Sequence, residues 1–227
     1  MEEIKRDRLY SDLLEACGEP GCLLCRVTAA WVRRYLDYLL YERVNDPGVR
    51  ATLRAARGFC VTHAWILTEG FGVALGTAII QRDVLQAVLE AMDVGPSGRN
   101  GRSRAQEILR RLRPSTECPA CAHRREVEDA AIQTLLKYLG DAQLAEALRG
   151  SSGLCVPHFS RALELADSAE QLQALLDFQR AALEALNAEL SEFIRKHDYH
   201  FHHEGFGAES NSWIRATGIV SGERHSQ

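Results

Sequence analysis

Apolar residues recur every three or four positions through most of the chain. Val27, Trp31, Tyr35 and Tyr38 do so in one segment, Leu135 and Leu139 in a second, and Leu172, Leu175, Leu176 and Leu183 in a third. That spacing lays a stripe of side chains along one side of an α-helix, and no run alternates as a half-buried strand would. Helix starts are marked as well. Asp46-Pro47 offers an N-cap followed by a proline in the first turn, and Ser168-Ala-Glu-Gln171 matches a capping box. The pattern predicts an all-α helical bundle in which paired helices bury their stripes against each other.

A second pattern runs across these helices. Cys22-Leu-Leu-Cys25 is followed by Cys60-Val-Thr-His63, and Cys118-Pro-Ala-Cys121 is followed by Cys155-Val-Pro-His158. From Cys25 to Cys60 is 35 positions and from Cys121 to Cys155 is 34, with Gly58-Phe59 and Gly153-Leu154 ahead of the two Cys-x-x-His motifs. Two copies of one helical unit are expected. Each reads as a long helix, a short helix, a helix opening at Cys-x-x-His and another long helix. The expected layout is an N-terminal helix in 1–19, the first repeat in 20–92, a basic linker in 93–115, the second repeat in 116–197 and an irregular tail in 198–227. Gly, Pro and Ser enrichment from Asp93 to Ser103 marks the linker.

Three thiolates and one imidazole form a standard closed set for tetrahedral zinc, and each repeat carries one such set. Two zinc ions per chain are expected, on Cys22, Cys25, Cys60 and His63 and on Cys118, Cys121, Cys155 and His158; spacing does not decide whether a Cys-x-x-Cys pairs with the Cys-x-x-His of its own repeat or of the other, and the former is favoured because the intervening helices can go out and return. Residues three apart at a helix start share a face, and the helix N-terminus favours the thiolate. The glycine ahead of each Cys-x-x-His permits a tight entry, and Pro157 suits a first turn. Iron–sulfur clusters or redox-active thiols on the same residues are the alternative. A c-type haem does not fit, because Arg26 and Ala122, not His, follow the Cys-x-x-Cys pairs. Four protein ligands leave no open position for water or substrate, so the sites read as structural and the chain as a non-enzymatic module.

With these residues in view, the chain resembles a bacterial and archaeal family known only as a domain of unknown function. The resemblance rests on Tyr41-Glu42-Arg43-Val44-Asn45-Asp46-Pro47, on Gly58-Phe59-Cys60-Val61-Thr62-His63, on the second Cys-Pro-x-Cys and on a C-terminal segment containing Trp213, from about Gly21 to Gly218. Leu23-Leu24 departs from the family pattern, which has Pro there, without removing a ligand. The resemblance implies a helical, cytoplasmic, metal-binding protein and carries no activity.

Composition narrows the partners. The 227 residues are 46% hydrophobic and 26% charged with a net charge of -4, ordinary for a folded chain and without a global positive field for nucleic acid. The N-terminus lacks an apolar signal core, and the longest apolar stretch, Phe71 to Ile80, is half of what a membrane span needs. A cytoplasmic location is expected, with an unknown protein or small molecule as partner, no membrane, and a homo-oligomer compatible with the pattern.

Weaker signals carry bland readings. Arg99, Arg102, Arg104, Arg110, Arg111 and Arg113 read as a solvated linker, since no aromatic residue interleaves them for base stacking. His197, His200, His202 and His203 with Glu204 or Glu209 could form a third metal site, against a solvated tail. Tyr41, Glu42, Asn45, Asp46 and Arg50 gather polar groups at a helix junction, where a small-ligand pocket competes with local capping. Gly70, Gly72 and Gly76 suggest close packing or a hinge, and Cys17 a small buried hydrophobe.

Overall fold

The computed structural model describes residues 2–95, 101–201 and 203–223, and among them forms eleven α-helices and no strand. In chain order they are α1 (Glu2–Cys17), α2 (Leu23–Tyr38), α3 (Pro47–Ala56), α4 (Val61–Ile66), α5 (Ala74–Met92) and α6 (Gly101–Leu112). There follow α7 (Pro119–Tyr138), α8 (Ala142–Arg149), α9 (Val156–Leu165), α10 (Ala169–Lys196) and α11 (Ser212–Ser221). A π-helical turn, Leu39–Arg43, extends α2, and a 3-10 turn, Ala208–Asn211, leads into α11. No described helix is long and apolar enough to cross a membrane.

The caps explain where helices begin. Asp46 accepts the Val49 N–H at 2.9 Å and Pro47 opens α3, while Asp141 accepts the N–H groups of Gln143 and Leu144 at 3.1 and 3.0 Å to open α8. At α10, Ser168 accepts the Gln171 N–H at 3.2 Å and the Gln171 side chain reaches back to the Asp167 N–H, one residue earlier than the ideal box. Asp46 and Asp141 thus play the same role, each capping a short helix that follows a long one.

The chain divides into two compact units. One comprises Met1–Ala30 with Glu126–Ser226, the other Trp31–Arg125. In the first, Leu9 and Leu13 of α1, Leu23 and Leu24 of α2, Ile132 and Leu135 of α7, Leu144 of α8 and Leu175 of α10 are buried. Here α8 packs on α1 and α10, and α11 on α9 and α10. In the second, Val32, Leu36, Leu39, Leu53, Leu67, Ile80 and Val84 form the core, with α5 against α3 and α6. Gly76 of α5 lies so close to the π-helical turn that a Cβ would sit 3.0 Å from the Leu40 carbonyl oxygen, which fits close packing.

Two segments are more regular than their composition suggests. Within 93–115, α6 places Glu107 one turn before Arg110 and Arg111, and both arginines bond it, holding its carboxyl down at about 2. Residues 96–100 of that linker, Arg99 included, lie outside the described residues. Within the tail, α11 buries Ser212 and Ile219, whose spacing of seven completes two helical turns. A single large apolar anchor and a mid-helix Gly218 left too faint a periodic signal to register.

Candidate metal centres

Each Cys-x-x-His motif starts at a helix N-cap. Cys60 and Cys155 have extended backbones ahead of α4 and α9, which puts His63 and His158 at the third helical position on the same side. Gly58 and Gly153, at φ 90° and 78°, make the turn into each helix. Each Cys-x-x-Cys motif lies at the start of a long helix, α2 or α7.

The folded chain gathers all eight side chains into two sets: Cys22, Cys25, Cys155 and His158, and Cys60, His63, Cys118 and Cys121. Within each set the ligand atoms all lie within 4.8 Å of one another. This corrects the within-repeat pairing, because each set joins the Cys-x-x-Cys of one repeat to the Cys-x-x-His of the other. Helix length gives the reason. Sixteen residues of α2 and five of the π-helical turn carry the chain about 30 Å away from Cys25, and the ten-residue α3 covers only about half that distance on any return.

In the first set, Nδ1 of His158 lies 3.1, 3.3 and 3.4 Å from the sulfurs of Cys155, Cys25 and Cys22, and the Cys25 and Cys155 sulfurs are 3.7 Å apart. In the second, Nδ1 of His63 lies 3.2, 3.4 and 3.6 Å from Cys60, Cys121 and Cys118, and the Cys60 and Cys121 sulfurs are again 3.7 Å apart. A zinc tetrahedron with bonds of about 2.3 Å to sulfur and about 2.0 Å to nitrogen has S–S edges near 3.8 Å and S–N edges near 3.5 Å. The donors therefore sit close to the corners that one ion would require.

The surroundings of the first set are built from residues the motifs do not contain. Glu128 on α7 places a carboxylate oxygen 3.3 Å from Nε2 of His158, on the far side of the ring from the sulfurs. Glu223 accepts the Cys22 N–H at 3.3 Å, and its own N–H points to the Cys25 sulfur at 3.5 Å. Ser152 accepts the Gly21 N–H at 3.0 Å. The buried Gln179 side chain accepts the Leu154 N–H and donates to the Leu154 carbonyl, both at 2.9 Å, fixing the loop just before Cys155. Gly153 leaves room for this contact, since a Cβ there would come 2.8 Å from that of Ala182. Sequence does carry one trace of Gln179: it interrupts the apolar stripe midway between Leu175 and Leu183.

Crowded thiols compete for protons. At Cys60 burial opposes ionisation, but N–H donation from His63 and Thr62 and the neighbouring thiols pull its pKa below the ordinary value. Cys121 is pushed up to about 12, first by burial and then by Cys60 and Cys118. Burial disfavours a charged His158, yet Cys155, Cys22, Cys25 and Glu128 outweigh it and raise its pKa. A soft cation can replace these shared protons, so both clusters could hold metal ions.

The family described as "Family of unknown function (DUF6062)" matches residues 11–227. The chain belongs to it. A relative from Caldicellulosiruptor sp. (strain Rt8B.4), described as an uncharacterized 23.9 kDa protein in the xynA 3' region, is 26% identical over 212 residues, covering 92% of this chain and 99% of that protein. No solved structure matches.

The remaining candidates in this DUF6062 chain do not converge on a metal. Among the described residues the tail histidines form no ligand cluster; Glu204 bonds Arg195 and Glu209 bonds Lys196, while His202 lies outside the described residues. Cys17 is buried, and burial lifts its thiol to about 11, which suits an inert side chain. Asp46 caps α3 and pairs with Arg43 at 2.7 Å.

Proposed function

We propose that each cluster holds one zinc ion, closed on all sides by protein, and that the two clamped units form a non-enzymatic module for binding a partner or small ligand in a reducing, cytoplasmic setting. The observation that carries this reading is the match of the two donor sets to the edges of a zinc tetrahedron. An iron–sulfur cluster spreads its ligands over two or more irons and needs ligands on different irons to stand farther apart than the 4.8 Å that encloses each whole set, which favours a single ion. Zinc, when bound, supplies coordination free energy on the order of 10 kcal/mol, part of which becomes folding stability. The chain's own residues do the rest. Glu128 orients the His158 ring, Gln179 fixes the approach to Cys155, and Gly58 and Gly153 set the turns that bring each thiolate to a helix N-terminus. Binding is supported by a mostly apolar cavity of about 550 Å³ in the first unit, lined by Phe178, Ala182 and Ile219 among others.

Metal analysis of freshly purified protein, with anomalous diffraction at the zinc edge, tests the reading. Colourless protein with two zinc ions per chain is expected. Absorption near about 400 nm, or a fully folded protein without metal, would overturn it.

A further inference from the structure

The geometry points to an anion site in the Trp31–Arg125 unit that takes a small organic molecule bearing a phosphate monoester. A cleft of about 570 Å³ between α3 and α5 is lined by Asn45, Arg50, Ile79, Arg82, Asp83 and Gln86, a volume suited to a small ligand. It goes beyond the function proposed above, at a site separate from the apolar cavity of the first unit.

Asp83 organises the cations. Its Oδ1 accepts from Arg50 at 2.8 Å and its Oδ2 from Arg54 at 2.7 Å. Arg50 and Arg54 lie one turn apart on α3, where two positive charges repel each other. The carboxylate holds them side by side, and the Arg50 hydrogen bond, with support from Arg54, keeps it ionised despite partial burial. The pair does not exhaust the donors, because Asp83 takes only Nη2 of Arg50, whose side chain is 32% exposed. Arg82, one position before Asp83 on α5, is exposed and makes no ion pair among the described residues.

Arg50 and Arg82 against Asp83 leave the lining net positive by about one charge, and Arg54, outside the lining but bonded to the same carboxylate, adds to the positive field, a setting that favours a phosphate monoester anion near neutral pH. Planar guanidinium forks suit phosphate oxygens better than a point charge would. The rest of the cleft fits an organic body. Ala78 and Ile79 supply an apolar wall. Gln86 gives one N–H to Glu90 at 3.2 Å and keeps its other amide groups, and Asn45 adds a second amide. Asn45 belongs to the Tyr41–Pro47 motif and Arg50 lies three positions after it, so the cleft gives that segment a use beyond capping.

The test is an NMR titration of the zinc-loaded full chain with inorganic phosphate and phenyl phosphate, with succinate as a carboxylate control. Saturable shifts of the Asn45 and Gln86 side-chain amides are expected, with phenyl phosphate binding about tenfold tighter than phosphate through the Ile79 wall. Arg82→Gln lies on the surface. It should weaken both ligands about tenfold and leave zinc content and melting temperature unchanged. No saturable shift by about 20 mM phosphate, an unchanged response in Arg82→Gln, or succinate binding as tightly as phosphate overturns the site. Phenyl phosphate binding no tighter than phosphate overturns the organic-ligand assignment. Zinc is measured on the same sample, so failure here with two ions bound leaves the zinc reading intact, whereas missing zinc counts against that reading alone.

Discussion

The two ligand sets share their chemistry and differ in their setting. Around His158, Cys22 and Cys155 are buried, and Glu128, Glu223, Ser152 and Gln179 brace the ligands and the loops that carry them. Around His63 the three cysteines are only half-buried, and α4 leaves Val61 and Trp65 73% and 67% exposed. Register sharpens the contrast: Val84 stands 25 positions after Phe59, as Gln179 stands 25 after Leu154. An apolar contact with Gly58 thus replaces a two-bond amide clamp. Loop length distinguishes the sites less. Cys25 and Cys155 are 130 positions apart and Cys60 and Cys121 are 61, yet doubling a closed loop changes its entropy by only about 0.6 kcal/mol. Bracing and burial would therefore decide which site holds a metal ion more firmly, and the His158 site should be the tighter.

The largest expected effects come from removing ligands. Cys155→Ser and Cys60→Ser should each release one zinc per chain and cost several kcal/mol, more for Cys155, whereas Cys17→Ser should retain both ions. The same assay tests the pairing: Cys60→Ser with Cys118→Ser should release one ion in total, and Cys60→Ser with Cys22→Ser both. The opposite pattern, read by mass spectrometry of the metal, would restore within-repeat pairing. Next in size, Glu128→Gln should lower zinc affinity at the His158 site by about 10- to 100-fold and spare the His63 site, seen as a separated second phase in a chelator competition. Gln179→Leu should cost about 2–3 kcal/mol in chemical denaturation, because it strands the buried Leu154 N–H and carbonyl.

The smallest effect separates the units by pH. Tyr10 donates to Asp141 at 2.6 Å, and that hydrogen bond raises its pKa from 10.0 to about 12. A folded-state value above the unfolded one stabilises fully below pH 10 and is lost as pH rises toward about 12. Tyr10→Phe should flatten the fall of the denaturation midpoint over that interval. Asp46, the matching cap in the other unit, pairs with Arg43, which keeps its charge there, so Arg43→Gln should leave the alkaline slope unchanged.

What the sequence made legible was local. Cys60 and His63 are three apart, Asp46 precedes a proline, and Ser168 precedes Gln171; each relation closes within one helical turn and can be read by spacing. The all-α class followed from stripes such as Leu172–Leu183. The partners of Cys25 could not be read this way, because Cys60 and Cys155 open identical Cys-x-x-His motifs with the same donors, and only the length of α2 chooses between them. Glu128 and Glu223 were equally hidden, since a carboxylate beside a ligand resembles any other surface acid until the chain is folded.

The crosswise assembly of the ligand sets also has a consequence for birth on the ribosome. The His63 quartet is complete once Cys121 has emerged, whereas Cys22 and Cys25 must wait, reduced and unclaimed, until His158 follows. The nascent chain would thus secure its middle before its ends, and the earliest candidate ligands to be translated join the last set to be completed.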